Sequence, residues 1–295
     1  MFSYDSDGNG PGIRPNLEVG KLPSLRVIDV DSLILHEQPD EERWKPLEHR
    51  IRADGLLKHP PIAAKDHGSR THILLDGVNR VEAMKRLGAR RLLVQEVDLE
   101  DDSLVLSTWH HVMEGLGGEA LMEKLTACAR FSTVEGRFTA AGDFVPDFDR
   151  ETECIIVLND RSVYAVHTTD DLQGRLEIVT GVVGVVHEAA NRDRVSYTNM
   201  GDLAKHYSDF SALVCYKAFT KDDVLTLSLE GRKFPSGVTR FSIPKRALYF
   251  DLPFSFFEGE GSAEAKQAEL DEIVRAKIRG KKIRFYVEPT FIFDD

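Results

Sequence analysis

One stretch has both the residue types and the spacing to hold a charged ligand. Asp76-Gly77-Val78-Asn79-Arg80 follows the apolar run Ile73-Leu74-Leu75. It precedes Val81, Met84 and Leu87 at helical spacing, with Ala83 beside them and Gly88 where a helix closes left-handed. A strand, a Gly turn and a helix in that order aim unpaired backbone N–H groups and the positive end of a helix dipole at the turn. An anion such as phosphate suits that position. Gly77, Val78 and Asn79 would offer backbone, and Arg80 would fork onto the same anion from the first helical turn. The plain alternative is a ligand-free turn in which Asp76 caps the helix or forms an Asx turn.

Other chemistries find less support. No Walker A sequence and no protein-kinase signature is present. Cys128, Cys154 and Cys215 are far apart, odd in number and set among apolar residues, which fits reduced, inert thiols and excludes a disulfide framework. His110-His111 has no acidic or Cys partner at metal-ligand spacing, so no protein metal site is expected. The chain has 49 acidic and 38 basic residues, a net charge of -11, which argues against a life on nucleic acid or an anionic membrane. No run approaches the ~18 apolar residues of a membrane span. The Gly-, Asp- and Pro-rich start lacks the pattern of a signal peptide, so a flexible tail and a cytoplasmic location are expected.

The elements that must position the loop can be read in order. Strands are expected at 25–30, 61–64, 72–75 and 91–97, with a turn at 67–69. A helix runs from an Asp40 cap to a Gly55 stop, with Trp44, Leu47, Ile51 and Leu56 on one face; Pro46 places its regular start there. Leu104, Val105, Trp109 and Val112 suggest a helix over 103–113, and a second is expected over 118–130. After a loop at 133–149, residues 154–167 form a hairpin. Helices follow at 172–186, 200–207, 221–229 and 263–279. Residues 234–243 are expected to be irregular, 258–262 a linker, and 248–252 and 283–287 strands; 208–220 receive no element.

The order Leu33-Ile34-Leu35-His36-Glu37, Ile51 to Leu57, His59-Pro60-Pro61-Ile62-Ala63 and Asp76-Gly-x-x-Arg80 resembles the ParB/sulfiredoxin-like fold over residues 24–99. Within that fold, His36-Glu37 and the Asp-Gly-x-x-Arg loop resemble the free L-serine kinases, whose loop is of the Asp-Gly-His-His-Arg type. Val78 and Asn79 replace the two histidines. Pro235 to Phe241 is similar to the segment lining the amino-acid pocket there, with Thr239 and Arg240 matching and Phe241 standing where the relatives have His. A loop without Cys excludes sulfiredoxin chemistry.

The resemblance implies an α/β protein with a flexible tail at 1–22, a nucleotide-binding domain at 23–115 and a mixed α/β domain at 116–295 that completes the substrate pocket. It implies phosphorylation of free L-serine by ATP or ADP with Mg²⁺. Glu37 would accept the hydroxyl proton, and Asp76 would either lie near a Mg²⁺ on the phosphates or share the polarising task. Gly77, Val78, Asn79 and Arg80 would cradle the nucleotide. Thr239 and Arg240 would hold the amino-acid carboxylate. Trp109 would flank the substrate or pack in the core. A ParB-like nucleotide- or DNA-binding regulator is the alternative; it would require a basic helix-turn-helix after the first domain.

Overall fold

The computed structural model describes residues 22–65, 71–169, 171–258 and 261–286. Residues 1–21 of the expected tail at 1–22, and the turn at 67–69, lie outside these.

Six strands and two helices open the fold: β1 (Ser24–Asp29), β2 (Leu33–Leu35), α1 (Glu41–Asp54), β3 (Leu56–Leu57), β4 (Ile62–Lys65), β5 (His72–Asp76), α2 (Val78–Arg86) and β6 (Arg91–Val97). Five of the strands form a mixed sheet in the order β1-β6-β4-β5-β2. Asp40 caps α1 by accepting from the Glu42 N–H, and Gly55 ends it at φ +64°. The helix begins at Glu41 rather than at Pro46. The Arg43 and Trp44 N–H groups both reach the Asp40 carbonyl at 3.1 and 2.9 Å, so the turn is closed before the proline arrives. Buried Trp44 then anchors it, with the Arg86 guanidinium 3.8 Å over its ring.

The helix expected over 103–113 is instead two strands, β7 (Val105–Thr108) and β8 (His110–Glu114). The elements after them are α3 (Gly118–Thr126), β9 (Phe131–Val134), β10 (Thr152–Leu158), β11 (Val163–His167), α4 (Leu172–Val186), β12 (Asn191–Val195), α5 (Met200–His206), β13 (Phe210–Tyr216), α6 (Lys221–Leu229), β14 (Thr239–Ser242), β15 (Leu252–Pro253) and α7 (Ala263–Arg279). A six-stranded antiparallel sheet has the order β12-β8-β13-β10-β11-β9. Its middle strand β13 is buried at every residue and was assigned no element from sequence. β9 runs into the start of the loop expected at 133–149, and the described residues 283–286 form no strand.

The two sheets share apolar packing through β5. Leu74 faces the core of the first sheet, while Ile73 and Leu75 face the larger core beneath α3 and α4, as the period-2 alternation of a strand requires. The end of the described chain returns to the first sheet. β15 pairs with β3, and Phe250, Leu252, Phe256, Phe257 and Leu270 complete its core. Gln267 on α7 accepts from the Val27 N–H at 2.8 Å and donates to the Leu25 carbonyl at 3.2 Å, which covers the edge strand β1.

Candidate active site

β5 ends at Asp76, Gly77 turns the chain at φ +92°, and α2 starts at Val78. The first helical bond runs from the Val81 N–H to the Gly77 carbonyl at 2.9 Å. The N–H groups of Val78, Asn79 and Arg80 therefore have no partner one turn back and face the mouth of the turn. The Val78 side chain is buried in the first core and contributes backbone alone to the mouth. The Asn79 side-chain oxygen accepts from the Asp40 N–H at 2.8 Å, tying the start of α2 to the start of α1.

Arg80 is turned inward. It donates to the carbonyls of His59 and Pro60 at 3.0 and 3.2 Å and to Asp76 Oδ2 at 2.8 Å. Its guanidinium lies over Gly77, where a Cβ would stand 2.9 Å from Nη2; the close approach and the positive φ both require glycine. Arg246 bonds the same Asp76 oxygen from the far side. Burial pushes the Asp76 carboxyl up, but the two guanidiniums outweigh it and hold the group below its ordinary value. One carboxylate thus braces two arginines under the loop, leaving net positive charge there.

Glu37 follows β2 and is tied to a segment 200 residues away. The Gln38 N–H donates to the Phe234 carbonyl at 2.8 Å, and the Phe234 N–H donates to the His36 carbonyl at 2.7 Å. This pairing lays the turn 235–238 across the Glu37 side chain. Its carboxylate accepts from the Gly237 N–H at 3.3 Å, the Thr239 N–H at 3.1 Å and the Thr239 hydroxyl at 2.5 Å. Thr239 also lies 2.8 Å from Nε2 of buried His36. Its hydroxyl is therefore held by two side chains of the chain itself.

Arg240 is the next residue on β14. β14 pairs with β7, which brings the guanidinium 4.4 Å over the Trp109 ring, and the Trp109 N–H donates to the Val238 carbonyl at 3.0 Å. Among the described residues no carboxylate pairs with Arg240. It is a cation oriented by an indole face and left unneutralised.

A support layer lies beneath this turn. Gly237 sits at φ +82° with Arg194 packed against it, and Arg194 also donates to Ser236 at 3.0 Å. His111 Nε2–H donates to the Gly237 carbonyl at 2.9 Å, and the Tyr216 hydroxyl lies 2.9 Å from His111 Nδ1. Burial pushes the His111 imidazole down to about 3, so the ring is neutral, with its proton on Nε2 and the tyrosine donating to Nδ1.

Glu37, the 76–80 loop, Trp109, Thr239 and Arg240 all line one cavity of about 1290 Å³ between the sheets. Every site residue named from sequence is brought to it. Seven arginines and five carboxylates line the same space. A chain of net charge -11 therefore carries a cationic cleft, which concentrates anions. Arg194, Arg246, His36 and His111 were not named as site residues. Arg192 and Arg194 alternate with Asp193 in a strand pattern that places both on one face, which was their only local signal. Arg246 follows Pro244-Lys245 with no local signal.

The class is an α/β protein with a ParB/sulfiredoxin-like first sheet and an anion-attracting cleft shared with a second sheet. No protein-family profile matches the chain. It is similar to the ATP-dependent L-serine kinase SbnI of Staphylococcus aureus, 24% identical over 242 residues, covering 81% of this chain and 86% of that one. It is 23% identical over 241 residues to the ADP-dependent L-serine kinase SerK of Thermococcus kodakarensis, covering 76% and 90%. The solved SbnI with a C-terminal truncation superposes with a TM-score of 0.68 at 22% identity, over 86% of this chain and 97% of that one. A free serine kinase solved with AMP gives 0.62 at 20%, over 81% and 95%. The resemblance to the free L-serine kinase family drawn from His36-Glu37 and the Asp76 loop is borne out, and the fold is the one those proteins share.

Proposed function

We propose that this protein transfers a phosphoryl group from a nucleotide to the hydroxyl of free L-serine, giving O-phospho-L-serine. One observation carries the reading: Glu37, the phosphate-type loop at 76–80 and the unneutralised Arg240 converge on one cationic cleft from opposite ends of the sequence. The names of its relatives, ATP- and ADP-dependent L-serine kinases, support the same reaction.

In this reading the N–H groups of Val78, Asn79 and Arg80 receive the nucleotide phosphates, aided by the dipole of α2. Arg80 and Arg246 act from beneath, holding the loop through Asp76 and adding positive charge. No group of three or more His, Cys, Asp or Glu that could hold a metal lies among the described residues. A Mg²⁺ brought in with the nucleotide would neutralise phosphate charge there. Arg240 forks onto the serine carboxylate, and Trp109 fixes the plane of that fork. Thr239 serves chiefly to hold Glu37. As the serine oxygen attacks the terminal phosphorus, its O–H proton passes to Glu37 and the shortened nucleotide leaves. The N–H groups of Gly237 and Thr239 hold the carboxylate in place.

Purified protein incubated with L-serine and Mg²⁺, and with ATP or ADP in separate reactions, should yield O-phosphoserine detectable by mass spectrometry. No phosphoserine with either nucleotide would overturn the proposal.

A further inference from the structure

Glu37 Oε1, Thr239 Oγ1 and His36 Nε2 form a chain of two short contacts, 2.5 and 2.8 Å. A threonine hydroxyl carries one hydrogen and can supply one of the two. The other ring nitrogen decides where His36 stands. Nδ1 bonds the Leu74 carbonyl, which only accepts, so Nδ1 carries the ring proton. The ring is 1% exposed and flanked by Phe234 and Phe241, with the Phe241 centroid 5.8 Å away edge-on. Burial pushes its imidazole down against the opposing pull of Glu37 and Asp76, so Nε2 is a bare acceptor. The Thr239 hydroxyl thus faces two acceptors with one proton.

We infer that the Thr239 hydroxyl is a rotor that reports the charge of Glu37: it donates to Glu37 while the carboxylate is ionised and turns to His36 Nε2 once Glu37 has taken a proton. An ionised carboxylate is the stronger acceptor, and a neutral imidazole nitrogen outcompetes a carboxylic acid oxygen. Only a hydrogen moves, by rotation about the Cβ–Oγ1 bond. During turnover the serine O–H bond breaks, a Glu37 O–H bond forms, and Thr239 keeps its own proton while changing acceptor. His36 gains no proton. It is a positioning residue that makes the protonated form of Glu37 accessible, because the hydroxyl is not left facing a neutral acid. The charged groups facing the pair are Asp76 toward His36 and Arg194 toward Glu37.

The assignment of the incoming proton to serine rests on the proposed function; the rotor itself does not. His36→Asn retains an amide N–H for the Leu74 carbonyl but leaves nothing in reach of Thr239. The hydroxyl then has only Glu37, the ionised form is favoured, and the acidic limb of the kcat profile moves to lower pH, with plateau kcat down about tenfold. Thr239→Val removes the donor from the carboxylate and moves the same limb to higher pH. His36→Gln, whose amide oxygen reaches the Nε2 position, restores the parent limb. ¹⁵N-histidine NMR of the protein alone provides the second arm. His36 Nε2 should be unprotonated at neutral pH, and its resonance should move on acidification in the parent but not in Thr239→Val. Limbs that move the same way in both variants, or an Nε2 that carries a proton at neutral pH, overturn the rotor. If the resonance moves as stated but the parent makes no phosphoserine, the kinase reading fails and the rotor stands.

Discussion

Acid should loosen this protein through His111 before it protonates most carboxylates. The folded ring titrates at about 3 because it is buried, whereas in the unfolded chain it titrates at its ordinary 6.5. Between those values the unfolded chain binds the extra proton and the folded one does not. Stability therefore rises with pH across this window and is lost as pH falls through it. At about 1.4 kcal/mol per pH unit, the loss is about 2 kcal/mol by pH 5. It approaches about 5 kcal/mol near pH 3, an order-of-magnitude figure. His36 is also held low by burial and adds to the same trend, so the test is a difference. Urea unfolding of the parent and of His111→Gln should be followed from pH 7 to pH 4.5. The variant starts less stable, having lost the bonds to Gly237 and Tyr216, but the gap to the parent should narrow as pH falls. Parallel losses in the two proteins would refute a neutral buried ring.

Three further outcomes test the site. Glu37→Gln should lower kcat by roughly 10²-fold or more, the usual consequence of losing a general base, with nucleotide affinity by calorimetry little changed; parental turnover would remove Glu37 from the reaction. Gly77→Val must adopt a positive φ and displace the Arg80 guanidinium, so unfolding should shift by at least about 1–2 kcal/mol and nucleotide affinity should fall; unchanged calorimetry would dispose of the phosphate loop. Arg240→Lys keeps charge but loses the planar fork and the fit to Trp109, so KM for L-serine should rise several-fold while serinol, which lacks the carboxylate, responds less. Equal factors for serine and serinol would show that Arg240 does not touch the carboxylate.

The first sheet and its loop are legible in the sequence because their signals are local. Asp40 caps, Gly55 stops, Gly77 turns and Gly88 closes at φ +86°, each within a few residues of the element it ends. The helix expected at 103–113 fails for the opposite reason. Leu104, Val105, Trp109 and Val112 satisfy a helical spacing loosely, but β7 is formed by pairing with β14, whose residues lie over 130 positions later. β8 lies between β12 and β13, whose paired residues come 77 to 85 and 96 to 103 positions later. No window of a dozen residues contains those partners. β13 does have a local signal: Phe210 to Tyr216 is a short, almost wholly apolar run, the mark of a strand covered on both faces. Within the site, the residue types at Glu37, Arg80, Thr239 and Arg240 were readable, but their hydrogen-bond partners were not. That Arg80 turns inward to Asp76 and two carbonyls, and that Thr239 is occupied by Glu37 and His36, depends on contacts across the fold.

The return of residues 250–279 to the first sheet has a consequence for how the chain is made. In the growing polypeptide β1 emerges before the other elements described, and a domain made early ordinarily folds while the rest is still being synthesised. Here Phe250, Leu252, Phe256, Phe257 and Leu270 join the first core only after more than 150 residues beyond β6 have been made. Glu37 likewise waits for Gly237 and Thr239. This sheet is translated well ahead of the residues that finish its core, so its nascent form exposes an apolar face while the second sheet is being made. Ribosome-stalled chains ending near residue 240 should remain protease-sensitive in β1 to β6, and protection there should appear only after α7 has cleared the exit tunnel.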